Sequence, residues 1–396
     1  MNRYNKKKVI YLVRNPFNAR DFKRFGIKNW INHNWETEVF DITKFLNPGY
    51  WRYVDGDKLS FNFEGLTIFQ NINDVLSRIN NLQNKVVFVD ILGFSNLETR
   101  IRAAARGHGV LVKLKLNFIP IAKINKNVWE LFRLIKNPIA FIKKSISFVN
   151  NRVQKIRAEK YADYTVVGGN KSMLGINEKQ TSVIKAHCLD YDFFIQEEQF
   201  KSNKNSNYLV FLDEDGPYHV NFISSGTKPY VTEDCYYPVI DLGLNEMAKS
   251  LKLNIKIAAH PRSNYAAKQK KYNQLILENK TFELIRGADL VVAHASTALG
   301  WAVIMKKPII LVTTDEIQNA SYAKNYAKNI DNLATILGKK VVNLSQLSSV
   351  NNWSDYLNID NEKYEKYIEN YIKTKGSPDK LAWDIVIEHI ENDLFL

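Results

Sequence analysis

The chain reads as an α/β protein with two doubly wound parallel sheets, and three observations carry that reading. Short apolar runs rich in Val, Ile and Leu recur along its 396 residues, and such runs look like strands buried on both faces. Helical patterns separate the runs, which implies βαβ units. The chain is also too long for one ordinary core, so two domains are expected.

In the first half, strands are expected at 9–13 (VIYLV), 85–91 (KVVFVDI), 110–116 and 164–169 (YTVVGG), with a helix through 100–106. Residues 129–160 break the rhythm. Pro138 divides them into two helical pieces in which Arg133, Lys136, Lys143, Lys144, Arg152, Lys155, Arg157 and Lys160 alternate with apolar residues. Such a pair is either a patch for an anionic membrane surface or a solvated helix face over a core. The polar stretch 201–207 (KSNKNSN) is expected to be a linker. The second half then repeats the pattern, with strands at 208–212, 255–259, 290–293 and 309–312 and a helix at 241–251. Ser377-Pro378-Asp379 carries an N-cap residue before Pro and is expected to open a final helix. The domains expected are 1–203, 204–376 and a helical tail, 377–396, packing back toward the first domain.

Hydrophobic content of 45% with 24% charged residues is that of a globular protein, which excludes wholesale disorder. The net charge of +14 is unevenly placed: residues 1–200 hold 32 Lys and Arg against 18 Asp and Glu, and the remainder is balanced. The basic excess therefore belongs to the first half. Two cysteines, Cys188 and Cys235, cannot make a disulfide framework, and a reducing cytoplasm is expected. The apolar stretch near the start is too short for a signal-peptide core, and no run is long enough to span a bilayer. Peripheral association with the inner face of the cytoplasmic membrane stays open. No zinc spacing or basic-aromatic module points to nucleic acid.

Three polar motifs stand at the ends of apolar runs, where open α/β sheets bind ligands. Asp213, Glu214 and Asp215 precede Gly216 and Pro217. Adjacent carboxylates repel, which raises at least one pKa and suits a general base. The triplet also fits D-x-D, a metal–diphosphate motif, and equally a solvated turn. His260-Pro261-Arg262 offers a proton donor and a planar guanidinium for phosphate oxygens, or merely a histidine capping a loop. His294, Ser296 and Thr297 precede an apolar helix start, either as an anion site of hydroxyls and free N–H groups or as simple capping.

In this order the motifs resemble those of bacterial sialyltransferases and polysialyltransferases of the GT-B fold, two Rossmann-like domains facing a central cleft. Glu214-Asp215-Gly216 matches their acidic pair and Gly, His260-Pro261 their His-Pro, and Ser296-Thr297 their hydroxyl pair. The segment from His187 to Asp192 (HCLDYD) is similar to one in surface-polysaccharide proteins of bacterial capsule and lipopolysaccharide clusters. The likeness covers the second half. It implies an inverting transfer of a nonulosonic acid (sialic, pseudaminic or legionaminic type) from a CMP-sugar to a surface glycan or lipid-linked glycan, with no cofactor and no obligatory metal. Asp215 would be the base, His260 would bind or protonate the leaving phosphate, and Ser296 and Thr297 would hold its oxygens. Asp213 departs from the pattern, so Asp213 or Glu214 could be the base instead, with His219 lining the site. A CMP-Kdo or UDP-sugar transferase and a UDP-N-acetylhexosamine 2-epimerase share the architecture and stand as alternatives.

Overall fold

The computed structural model describes residues 7–59, 61–83, 85–116, 120, 152–157, 160–197, 206–219, 222, 226–261, 263, 265, 272–320 and 324–395. Two parallel sheets form the frame. The first contains β1 (Lys8–Val13), β2 (Glu36–Asp41), β3 (Leu66–Ile68), β4 (Val86–Ile91), β5 (Gly109–Lys115), β6 (Tyr164–Val167) and β7 (Ser182–Lys185), in the order β3-β2-β1-β4-β5-β6-β7. The second contains β8 (Tyr208–Leu212), β9 (Asn254–Ala258), β10 (Ile276–Leu277), β11 (Leu290–Ala293), β12 (Ile309–Thr313) and β13 (Val341–Asn343), in the order β10-β9-β8-β11-β12-β13.

The apolar runs become strands because both faces of each sheet are covered. Alternation along β1 sends Ile10 and Leu12 into one core with Phe40 and Phe88. It sends Val9, Tyr11 and Val13 into another with Val87, Val89 and Trp383. All five residues of β8 are buried. Every strand expected from the sequence is present within two residues of its expected ends.

Two helices differ from expectation. The one expected at 241–251 begins earlier and spans Glu233–Leu251, with Pro238 inside it. The final helix spans Ala382–Phe395 rather than opening at Ser377. Its first free amide is satisfied from a distance: Ala382 N donates to Asp192 Oδ1 at 2.8 Å, so the local Ser-Pro-Asp signal is not used. This helix packs on the first sheet. Trp383 is buried with Trp30 and Tyr11, and its Nε1 donates to the Arg24 carbonyl at 2.9 Å. Glu391 accepts from Trp35 Nε1 at 2.8 Å and pairs with Lys7 at 2.9 Å. Gly26 makes this seat possible. It lies in the left-handed region at φ 61°, and a Cβ there would meet the Trp383 ring at 2.3 Å.

The chain passes between the sheets twice, and the two passages pair with each other. His187 bridges Lys373, and Cys188 N donates to the Ile372 carbonyl at 2.7 Å. The basic stretch 129–160 lies outside the described residues except for 152–157 and 160, as does the expected linker 201–207 except for its last two residues. No described helix is long and apolar enough to cross a membrane.

Candidate functional site

In the second sheet the chain runs from β8 outward to β9 and β10, then returns across to β11 beside β8. Strand order therefore reverses between β8 and β11, and the crevice beyond their carboxyl ends is where such a sheet accepts a ligand. Asp213, Glu214 and Asp215 follow β8 directly, His260 follows β9, and His294 to Thr297 follow β11. The sheet thus brings the three motifs to one edge, with the acidic turn in the middle.

The acidic turn is tightly shaped. Asp215 lies in the left-handed region at φ 52°, and its N–H donates to Asp213 Oδ1 at 3.0 Å. This reversal turns Asp213 and Asp215 inward, both fully or nearly buried, and leaves Glu214 half-buried. Tyrosines supply the hydroxyls that buried carboxylates require. Tyr236 and Tyr265 donate to the two oxygens of Asp213, each at 2.9 Å. Tyr237 donates to Asp215 at 3.2 Å, and Tyr326 donates to Glu214. Gly216 leaves room for this arrangement, since a Cβ there would sit 2.8 Å from Val231 and 3.0 Å from Tyr236.

These surroundings separate the carboxyls electrostatically. Burial, and then the charge of Asp215, pushes Asp213 up to about 6 against its hydrogen-bond donors. Burial likewise pushes Glu214 up to about 7, with the Asp213 charge adding to it and the Tyr326 hydroxyl and Ala295 N–H opposing it. The Ala295 amide belongs to the turn after β11, so Glu214 sits on the switch point itself. A half-buried carboxyl near 7 is suited to proton transfer at neutral pH.

The structure also brings His219 beside His260, their ring centroids 4.7 Å apart and both half-buried. His260 Nδ1 lies 3.3 Å from Ser263 Oγ, and the His260 amide donates to the Tyr265 hydroxyl at 3.1 Å. One tyrosine therefore joins the His-Pro turn to Asp213. Pro261 is exposed. Arg262 lies outside the described residues. Ser296 is half-buried, its Oγ accepting from the Ala298 amide at 3.3 Å, while Thr297 is exposed.

His294 is placed differently from the expectation that grouped it with the phosphate ligands. It is 1% exposed, its Nδ1–H donates to the Val312 carbonyl at 2.7 Å, and its Nε2 faces the Tyr236 hydroxyl at 3.3 Å. Burial drives its pKa down to about 4. A neutral, enclosed imidazole offers an anion no charge; His294 packs beside Tyr236, whose hydroxyl proton goes to Asp213. Among the described residues no group of three or more His, Cys, Asp and Glu side chains is arranged around a metal position.

The first sheet contributes residues that sequence reasoning missed. Tyr53, exposed at the end of the helix Pro48–Tyr53, has its hydroxyl pKa raised by burial and then by the charge of Asp215. It links the first half electrostatically to the acidic turn. Arg14 follows β1 at the reversal between β1 and β4. Its Nε lies 3.6 Å from Glu98, and a Cβ on Gly93 would strike its guanidinium. The rule that found the second-half motifs, polar residues just past an apolar run, applies equally to Arg14. The tyrosines had a weaker signal: the Tyr236-Tyr237 pair and a total of 20 tyrosines.

No family model matches the chain, and no curated protein matches it. Solved structures do. The Listeria monocytogenes protein assigned as a UDP-N-acetylglucosamine 2-epimerase is 10% identical over 99% of this chain and 97% of its own, with a TM-score of 0.50. A variant of the wall teichoic acid polymerase TagF is 12% identical over 98% of this chain and 90% of its own, with a TM-score of 0.53. A second TagF variant is 11% identical over 99% and 90%, with a TM-score of 0.51. At such identities the likeness concerns the fold, and it is the two-sheet GT-B architecture.

Proposed function

We propose that the chain is an inverting glycosyltransferase that uses a nucleotide-activated sugar, with a CMP-nonulosonate as the favoured donor. The observation that carries this reading is the convergence at one sheet edge of a carboxyl near 7, a pair of imidazoles and a hydroxyl pair. In this division residues 204–376 hold the donor and the basic first half, residues 1–203, holds a glycan or lipid-linked glycan acceptor. The names of the structural neighbours refer to a nucleotide sugar and to a cell-wall polymer, which fits the same class of chemistry.

Direct displacement inverts the sugar centre. A base takes the proton of the acceptor hydroxyl as its oxygen bonds to the anomeric carbon, while the bond to the CMP phosphate breaks. The resemblance assigns the base to Asp215. The geometry favours Glu214, because Asp215 is enclosed and Asp213 has hydroxyl donors on both oxygens, whereas Glu214 is half-buried and titrates near neutrality. His260, with His219 beside it, meets the departing phosphate, and Ser296 and Thr297 hydrogen-bond its oxygens. A monophosphate leaving group carries less charge than a diphosphate, so imidazole and hydroxyl donors suffice to stabilise it.

The test is a transfer assay with CMP-activated donor. Glu214→Gln is expected to lower kcat by about 10²-fold or more, while Asp215→Asn retains much of the activity. The reverse order would return the base to Asp215. Excess EDTA is expected to leave transfer intact, and its abolition would favour the D-x-D metal reading. An epimerase would instead act on its nucleotide sugar without any acceptor.

A further inference from the structure

A cavity is lined by residues of the first sheet and of the segment that leads into β7, none of them in the acidic turn. It is a small cavity of about 40 Å³, partly open to solvent, and its lining includes Lys113, Lys115, Thr165, Asn177, Gln180 and Thr181. Two cations, two hydroxyls and two amides line it, and among the described residues no carboxylate does. Lys113 and Lys115 are two apart on β5, so strand alternation sends both to one face of the sheet. A buried Arg102–Asp90 ion pair lies beside Lys113, since Asp90 is its register partner on β4. The Arg102 guanidinium and the Lys113 ammonium lie 5.9 and 5.6 Å from the Phe94 ring centroid. Arg102 is 1% exposed and pairs with Asp90, yet its Nη1 is buried with no hydrogen-bond partner among the described residues.

Two apolar residues stand next to residues of the cavity. Phe94 and Leu174 are large apolar side chains that are 40% and 64% exposed. Each neighbours one of the two lysines: Lys113 Nζ lies 5.6 Å from the Phe94 ring centroid, and the Leu174 backbone carbonyl accepts from Lys115 Nζ at 3.3 Å. Leu174 also precedes Gly175, which lines the cavity.

We propose that this cavity binds the phosphate of a phosphate monoester that carries an apolar chain. The ammonium groups take the phosphate oxygens, for which charge-assisted hydrogen bonds are strongest. Phe94 and Leu174, each next to one of those lysines, cover the first carbons of the chain. None of the lining residues belongs to the acidic turn, so this assignment stands whether or not the proposed transfer is correct.

Calorimetry on the full chain tests it with hexyl phosphate, inorganic phosphate and hexan-1-ol. Hexyl phosphate is expected to bind at least tenfold more tightly than inorganic phosphate, and hexanol not at all. The double variant Lys113→Gln/Lys115→Gln should weaken hexyl phosphate tenfold or more. Phe94→Ser/Leu174→Ser should abolish the preference for the alkyl ester while leaving inorganic phosphate unchanged. Melting temperature and circular dichroism establish that each variant is folded. Unchanged binding in the lysine variant, or equal affinity for both phosphates, overturns the proposal. Sedimentation with phosphatidylcholine vesicles, with and without phosphatidic acid, identifies the source. Capture by phosphatidic acid that needs the two lysines indicates a membrane lipid, and hexyl phosphate binding without capture indicates a soluble ester. Capture that survives their loss also overturns it.

Discussion

Replacing Asp213 with Asn tests the electrostatic account of the acidic turn. Asp213 is 4% exposed and its carboxyl is pushed from 3.8 to about 6, by burial first and then by the Asp215 charge. The folded state therefore binds more protons than the unfolded chain between those two values, so this group makes stability fall as pH rises through them. A carboxyl displaced this far corresponds to about 3 kcal/mol of destabilisation once it is ionised in both states, and about 1 kcal/mol of that is already present near pH ~4.5. Asn keeps the shape, retains an acceptor for part of the tyrosine cluster and cannot ionise. It sacrifices one acceptor oxygen, a loss of about 1 kcal/mol at either pH. The stability of Asp213→Asn relative to the parent should accordingly improve by about 2 kcal/mol between pH ~4.5 and pH ~8. Urea denaturation followed by tryptophan fluorescence measures the difference at both pH values; groups not coupled to Asp213 cancel, and relief of Glu214 from the Asp213 charge acts in the same direction. A relative stability that stays flat, or worsens as pH rises, would refute the burial argument.

Further outcomes follow from the same geometry. Tyr326→Phe removes a hydroxyl that holds Glu214 down. Its basic form should then appear at higher pH, moving the rising limb of kcat/KM upward by about one pH unit. An unmoved limb would remove Glu214 from the base role. Gly26→Ala forces a Cβ into the Trp383 ring at a left-handed position. It should cost about 2–4 kcal/mol and raise amide hydrogen exchange along Ala382–Phe395 ahead of the second sheet. Exchange that stays uniform would show that the final helix does not depend on that seat.

How much was legible in the sequence depended on whether the signal was local. The strands beneath the cleft, such as β8 and β11, are continuous apolar runs buried on both faces, so pattern alone locates them. The short strands β3 and β10 lack such a run, and β2 begins with exposed Glu36, so partners decide them. The acidic turn was visible because three carboxylates adjoin a strand end. Its tyrosine surroundings were not, because Tyr236, Tyr265 and Tyr326 meet Asp213 and Glu214 only through the fold. His294 misled for the same reason: a histidine past a strand looks like a ligand until burial shows it neutral and enclosed. The final helix was anticipated with the wrong start, since Asp192, 190 residues away, supplies the partner for its first amide.

The central claim is that the edge formed by Glu214, His260 and Ser296 accepts the CMP portion of an activated sugar. Calorimetric titration of the purified chain with CMP and with UDP, repeated on His260→Ala, tests it most directly. CMP is expected to bind more tightly than UDP, and His260→Ala to weaken CMP by about tenfold or more, in keeping with loss of a charge-assisted phosphate contact. Binding of UDP alone, or CMP affinity untouched by His260→Ala, would contradict it.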